Sequence, residues 1–96
     1  VDLIFGCFEA AISDGVNVIS VSLGSDVASE YFEDATSIGS FHAVANGIIV
    51  VASAGNSGPS PGTVSNNESW MLTVAASTID RDFASYVTLG DKKIIK

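Results

Sequence analysis

Apolar side chains recur at helical spacing near the start of the chain and again in its middle. Over residues 2–13 they fall on one arc of a helix at about 100° per residue, with polar residues on the opposite side. A second apolar arc predicts a helix over residues 34–46. Gly15 comes shortly after the first segment and Asn46-Gly47 closes the second, and these are typical residues for ending a helix. The pattern therefore predicts two amphipathic helices.

Three runs rich in β-branched residues predict strands. They lie at residues 16–23, 48–52 and 71–76, and a small hairpin is predicted from residues 86–89 and 94–95. The first run is apolar on both of its alternating faces, as expected of a strand that is covered on both sides of a parallel sheet. Because strand, helix and strand follow one another, we expect a β-α-β crossover. The predicted fold class is α/β with a parallel sheet.

Composition and charge restrict the possible partners. The chain has 96 residues, is 47% hydrophobic and carries a net charge of −7. Its first lysine or arginine is Arg81, which makes nucleic acid a poor partner. No apolar run approaches the roughly 20 residues that span a bilayer, and no signal peptide is recognisable, so we predict no membrane association. So high an apolar content in a chain this short predicts hydrophobic surface that is meant for neighbours outside it.

The segments that follow the first two predicted strands are candidates for a ligand-binding cleft. Ligands of parallel α/β sheets bind beyond the carboxyl ends of the strands. These ends are Ser22-Leu23-Gly24 and Ser53-Ala54-Gly55, and Asn56 follows the second. The Asn56 amide is an uncharged donor that suits a developing oxyanion. From the residue pattern alone, a turn residue with positive φ remains the alternative for Asn56.

Other reactive residues have a structural interpretation. His42 is the only histidine, and the pattern puts it in the middle of the second helix, away from the predicted cleft. Cys7 is the only cysteine and lies at the edge of the first apolar arc, without a base nearby. No histidine or cysteine spacing indicates a metal site, and no phosphate-binding motif is present. We therefore predict neither a metal nor a cofactor.

Three longer runs resemble the plant subtilisin-like serine proteases, the cucumisin-like subtilases. They are residues 10–24 (AAISDGVNVISVSLG), 50–59 (VVASAGNSGP) and 70–81 (WMLTVAASTIDR). The resemblance covers essentially the whole chain. It implies that residues 1–96 are an incomplete part of one subtilisin-like catalytic domain. Residues 90–96 would then lead into a protease-associated insert.

The resemblance also implies roles for the cleft residues. Asn56 would be the side chain of the oxyanion hole in a serine endopeptidase that uses a Ser/His/Asp mechanism. Ser22-Leu23-Gly24 would be the edge on which the substrate lies as an added strand, and Ser53-Ala54-Gly55 the opposite wall of the primary specificity pocket. The family's triad motifs, D-[ST]-G, G-H-G-T-H and G-T-S-M-[AS], are not found in this sequence. His42 is therefore not the triad base, and we expect the isolated chain to be inactive.

The resemblance extends to partners and location. The expected partners are a peptide or protein substrate and the rest of the parent catalytic domain. The expected location is outside the cell, in the plant apoplast or cell wall. Asn67-Glu68-Ser69 is an N-x-S acceptor, which in a secreted protein predicts a glycan on Asn67. Relatives often have an uncharged residue where this chain has Glu68, a loop difference that we expect to leave the site unaffected.

Two alternatives to an active protease remain. One is a catalytically inactive subtilase homologue that serves as an interaction protein. The other is a standalone α/β interaction module, in which acidic residues at the strand ends would carry the function. The predicted strand ends carry Ser, Gly and Asn instead of acids. This composition favours the protease over the acidic module.

Overall fold

A computed structural model of the chain describes residues 3–25 and 30–95. Its elements are α1 (Leu3–Ser13), β1 (Val18–Val21), α2 (Ala35–Ala45), β2 (Ile49–Ser53), β3 (Leu72–Val74), β4 (Val87–Thr88) and β5 (Ile94–Ile95). Every predicted helix and strand is present, and its ends differ from the predicted ends by at most two residues. Position 2, the predicted start of the first helix, lies outside the described residues. No helix of the described ranges is long and apolar enough to cross a membrane.

The first three strands form one parallel sheet with β2 at its centre. Val21 is opposite Ala52 in the first pair, and Ser53 is opposite Val74 in the second. Since α2 connects two adjacent parallel strands, the predicted β-α-β crossover and the α/β fold class are confirmed. Strands β4 and β5 form a separate antiparallel pair, as the predicted hairpin requires. The parallel strands put the segments after β1 and β2 at the same edge of the sheet.

The two helices cover one face of this sheet. α1 packs on α2, and α2 packs on β2. The core between them consists of the buried residues Phe8, Val21, Ala43, Ile48, Val50 and Ala52. On the opposite face, side chains of all three strands remain about half exposed: Val18, Ile49, Leu72 and Val74. The sequence predicts cover on both faces, but the described residues cover only one, because both helices pack on the same side.

The beginning of α2 is fixed by Asp34, its N-cap. The Asp34 carboxylate accepts hydrogen bonds from the backbone N–H groups of Thr36 and Ser37, at 3.4 and 3.0 Å. These contacts satisfy two of the N–H groups that a helix leaves without partners at its first turn. They also place a negative charge at the positive end of the helix dipole. The Asp34 carboxylate therefore caps the N-terminus of α2.

Gly39 lies where α2 packs against α1, and its replacement by alanine is expected to destabilise the protein. A Cβ at Gly39 would lie 2.6 Å from Cγ of the buried Phe8 ring. We expect Gly39→Ala to cost about 1–3 kcal/mol through overpacking, which outweighs the gain in helix propensity of about 1 kcal/mol. Thermal unfolding of the full-length protein that contains this chain measures the effect.

Gly6→Ala is the matched control for this prediction. Gly6 is also helical, but a Cβ there meets nothing within 4 Å. The control variant should therefore be as stable as the parent protein or more stable, because only the propensity difference acts. A Gly39→Ala variant that melts at or above the temperature of the parent protein would contradict the prediction.

Candidate functional site

The segments that follow β1 and β2 lie side by side at the carboxyl end of the sheet. The Ser53 hydroxyl donates to the carbonyl oxygen of Leu23 at 3.1 Å. A Cβ on Gly24 would lie 3.6 Å from the Cα of Gly55, so the two backbones pass closely. The structure thus brings together the two predicted cleft segments, Ser22-Leu23-Gly24 and Ser53-Ala54-Gly55. We call them the first and the second wall.

Asn66 connects the two walls, a role that the sequence analysis missed. Its side-chain amide donates to the carbonyl oxygen of Leu23 at 2.6 Å and to that of Ser53 at 2.9 Å. The backbone of Asn66 has a φ of 53°, which is uncommon for a residue other than glycine. Its own carbonyl oxygen accepts from the Thr73 hydroxyl. In the sequence, Asn66 looks like any other asparagine in a polar loop.

Ser65 explains why both walls carry glycine. Its hydroxyl oxygen would lie 3.0 Å from a Cβ on Gly24 and 2.9 Å from a Cβ on Gly55. Gly55 also has a φ of 84°, which disfavours a side chain on conformational grounds. The Ser65 N–H donates to the Ala54 carbonyl oxygen at 3.1 Å, so the serine is tied to the second wall. Ser65 is 9% exposed and closes the space between the walls.

Asn56 follows the second wall and presents its side chain to solvent. Among the described residues, its amide has no hydrogen-bond partner. It borders a shallow depression together with Gly55, Gly58 and Thr63. The Ala54 N–H donates to the Val74 carbonyl oxygen at 3.0 Å, which attaches the wall before Asn56 to β3. Asn56 is thus an uncharged donor on an anchored segment, and its amide protons are available to a ligand.

A cavity of about 130 Å³ lies beside the first wall. Its lining includes Leu23 and Gly24 of that wall, together with Ser65, Asp34 and Glu68. Glu68 is only 5% exposed. Glu68 lies in a loop, as expected, and its side chain is buried at the cavity.

Glu68 is held by a hydroxyl group that it shares with another carboxylate. The Ser37 hydroxyl donates to Glu68 Oε1 and also lies 2.9 Å from Asp34 Oδ2. A serine hydroxyl has one proton and can donate it to one carboxylate at a time. The second carboxylate oxygen of Glu68, Oε2, is buried and has no partner in the described part of the chain.

The remaining reactive residues lie away from the walls. His42 Nδ1 is 2.9 Å from Glu9 Oε1, and both side chains are about half exposed, on the helical side of the sheet. The ring of Phe5 meets that of His42 edge-on at 5.6 Å. Cys7 is exposed rather than at the edge of the core, because α1 turns it away from α2 and the sheet. The described ranges contain no group of three or more potential metal-ligating side chains.

Comparisons with known proteins place the chain in a family. The model of the subtilase family matches residues 3–93. A subtilisin-like protease of Arabidopsis thaliana, SBT4.14, is 59% identical over 92 residues, which are 96% of this chain and 12% of the relative. The CO(2)-response secreted protease of the same plant is 53% identical over 95 residues, which are 97% of this chain and 12% of the relative.

The matches cover nearly the whole of this chain but only a small part of each relative. The chain spans about 12% of the length of these curated relatives. The similarity to these plant proteases extends over nearly the whole chain. Since the family model also covers all but a few terminal residues, the chain belongs to the subtilase family.

Proposed function

We propose that this chain is a part of the catalytic domain of a plant serine endopeptidase and that Asn56 is its oxyanion-hole donor. The observation that carries the proposal is the exposed Asn56 amide, without a partner among the described residues, at the end of an anchored strand. It follows the second of two glycine-bearing walls, whose backbones pass closely. The nucleophile and its base come from parts of the parent protein outside this chain.

The first wall binds the substrate through its backbone. The Leu23 carbonyl oxygen is occupied by the Ser53 hydroxyl and the Asn66 amide, which hold the wall in place. The neighbouring residues Ser22 and Gly24 are exposed and pair with an extended peptide as an added strand. Because this pairing uses main-chain groups, it orients peptides of many sequences in the same way.

Asn56 then acts on the charge that forms during the reaction. When the serine oxygen attacks the scissile carbonyl carbon, the electron pair of the C=O bond moves onto the oxygen. The Asn56 Nδ2–H group and the backbone N–H of the nucleophile donate hydrogen bonds to that oxyanion. The negative charge is stabilised by fixed dipoles, which need no reorganisation at the moment of reaction. A neutral amide keeps its protons throughout the pH range in which the triad works.

The full-length protein, assayed with internally quenched peptides, tests this function. Cleavage that diisopropyl fluorophosphate abolishes is the expected result, because the reagent modifies an activated serine. A folded full-length protein that cleaves no peptide and does not react with the reagent would be an inactive homologue. The match to proteins about eight times longer disfavours the third possibility, a standalone module.

Asn67 is predicted to carry a glycan if the protein is secreted, as the name of one relative states for that relative. Asn67 and Ser69 are both exposed, so the acceptor is accessible. We expect peptide-N-glycosidase treatment of the secreted protein to convert Asn67 to aspartate, a mass increase that peptide mass spectrometry detects. Recovery of only unmodified Asn67 from untreated protein would contradict the prediction. A Ser69→Ala variant, which lacks the acceptor, is the control.

A further inference from the structure

An aromatic depression of about 440 Å³ lies along α2, and none of the described wall residues lines it. Its large lining side chains are Tyr31, Phe32, Ile38, Phe41 and Trp70. Phe32 is 91% exposed and Phe41 is 54% exposed. Contiguous apolar surface of this kind on a folded protein marks a site of interaction. The aromatic depression is therefore a candidate binding site.

The aromatic rings of the depression hold one another in place. The rings of Tyr31 and Phe41 each meet the Trp70 ring edge-on, with centroids 5.7 and 5.3 Å apart. The indole N–H of Trp70 donates to the hydroxyl oxygen of the fully buried Ser40 at 2.9 Å. The Ser40 hydroxyl donates in turn to the Ser37 carbonyl oxygen. Trp70 is thus anchored to α2, and a ligand meets a depression that is already formed.

The lining restricts the ligand to an uncharged group with an apolar face. No aspartate, glutamate, lysine or arginine of the described residues lines the aromatic depression. Of its two polar lining residues, Ser37 contacts the Glu68 carboxylate through its hydroxyl. The other, His42, has its Nδ1 2.9 Å from Glu9 Oε1. A pyranose sugar matches this lining, because one of its faces presents mainly C–H groups, which the negatively polarised faces of aromatic rings attract.

A predicted sugar acceptor stands beside the aromatic depression. Asn67 and Ser69 of the N-x-S sequence are both exposed. The Met71 N–H donates to the Glu68 carbonyl oxygen at 3.1 Å, which closes a tight turn and keeps Trp70 close to Asn67. Tyr31 lines both the depression and the cavity that Asn67 lines. Tyr31 therefore lies between the acceptor and the Trp70 ring.

From these observations we propose that a glycan on Asn67 folds back onto the protein and that its first two sugars, both N-acetylglucosamine, cover the aromatic depression. The inference rests on the glycan predicted for the secreted protein and is independent of the protease activity. The sugar nearest the asparagine lies on Tyr31, and the second lies on Phe41 and Trp70. Because the sugars are covalently attached beside the rings, their effective concentration is high and weak contacts suffice to hold them.

Release of the Asn67 glycan by peptide-N-glycosidase from the native, secreted full-length protein tests the inference. Mass spectrometry of peptides follows the conversion of Asn67 to aspartate with time. The enzyme acts on sugars that have left the rings, so its rate reports the open population. We expect Tyr31→Ser to raise this rate by about three- to tenfold, which corresponds to the loss of one aromatic contact. After denaturation, the variant and the parent protein should lose the glycan at the same rate.

Tyr86→Ser is the matched control for this measurement. Tyr86 is 63% exposed and lines neither the aromatic depression nor the cavity beside the first wall. The same substitution there should leave the release rate within about 1.5-fold of the parent rate, because distant sites act independently. Release that is equally fast in both variants, or as slow in Tyr31→Ser as in the parent protein, would overturn the inference.

A second measurement leaves the aromatic residues unchanged and so covers a Tyr31→Ser variant that fails to fold. Ser69→Ala removes the glycan acceptor, whereas Ser69→Thr keeps it. Without the glycan, the rings are open to a hydrophobic dye such as anilinonaphthalene sulfonate. We expect the dye fluorescence of full-length Ser69→Ala to be at least about twice that of Ser69→Thr. Equal fluorescence of the two variants would overturn the inference.

Two further outcomes would also overturn the inference. The first is a secreted protein in which Asn67 carries no glycan, and this result leaves the proposed protease function standing, because Asn56 does not depend on the glycan. The second is an equal fall in melting temperature when Tyr31→Ser is introduced into the parent protein and into Ser69→Ala. That result would show that another part of the parent protein covers the aromatic depression.

Discussion

Asn56→Ala is expected to lower kcat of the full-length protein by about 10²–10³-fold, or about 2.7–4 kcal/mol of transition-state stabilisation, with little change in KM. This magnitude is adopted from the loss of such a donor in a subtilisin rather than obtained from the geometry of this chain. The expected direction follows from the site itself. The amide has no partner among the described residues, so its removal leaves the ground-state structure intact.

The prediction is specific to an oxyanion donor because kcat should fall while KM stays nearly unchanged. A hydrogen bond that forms only with the oxyanion stabilises the transition state and contributes nothing to ground-state binding of the peptide. If Asn56 were a turn residue, its replacement would alter the wall and raise KM, or leave both constants unchanged. A kcat within about threefold of the parent value would reject the oxyanion assignment.

Two further variants, Asn56→Asp and Asn17→Ala, are compared with Asn56→Ala. Asn56→Asp should be at least as harmful as alanine, because a carboxylate places negative charge against the developing oxyanion. Asn17→Ala is the matched control: Asn17 is also exposed, but it precedes β1 and so lies at the opposite edge of the sheet. We expect the control to keep kcat and KM. Circular dichroism of each variant verifies that the fold is retained.

The second large effect concerns the 96-residue chain on its own, which we expect not to fold cooperatively. The sheet face away from the helices exposes 59% of Ile49 and 60% of Leu72. The radius of gyration is 19.3 Å, whereas a compact domain of this length has about 12–13 Å. Every described residue from Ala75 onward is exposed. The apolar area buried is therefore too small to offset the conformational entropy lost on folding.

A urea titration followed by circular dichroism tests this expectation. The isolated chain should show a gradual change without a cooperative transition, and the full-length protein should unfold with a clear midpoint. A cooperative transition of the monomeric chain, with a slope of about 1 kcal/mol/M or more, would contradict the prediction. It would also revive the standalone module as an interpretation.

The sequence by itself determined the elements and which segments lie at the carboxyl edge of the sheet. Helices and strands have different hydrophobic periods, about 3.6 and 2 residues, and both periods can be read from neighbouring positions. Gly15 and Gly47 end their helices with positive φ, as their places in the pattern predict. Once two parallel strands and a crossover are recognised, the segments after the strands must share one edge. The positions of Asn56 and both walls follow from this local reasoning, whereas their proposed roles came from the family resemblance.

The tertiary structure alone decided how the cleft is closed and what surrounds it. Asn66 bonds to Leu23 across 43 positions of the chain, and Ser37 bonds to Glu68 across 31. No local pattern encodes such contacts, because an asparagine or glutamate in a polar loop has the same neighbours in sequence whether it is buried or exposed. Burial and hydrogen bonding depend on which distant segments meet. The residues that line the cavity, and the burial of Glu68 among them, can therefore be known only from the tertiary structure.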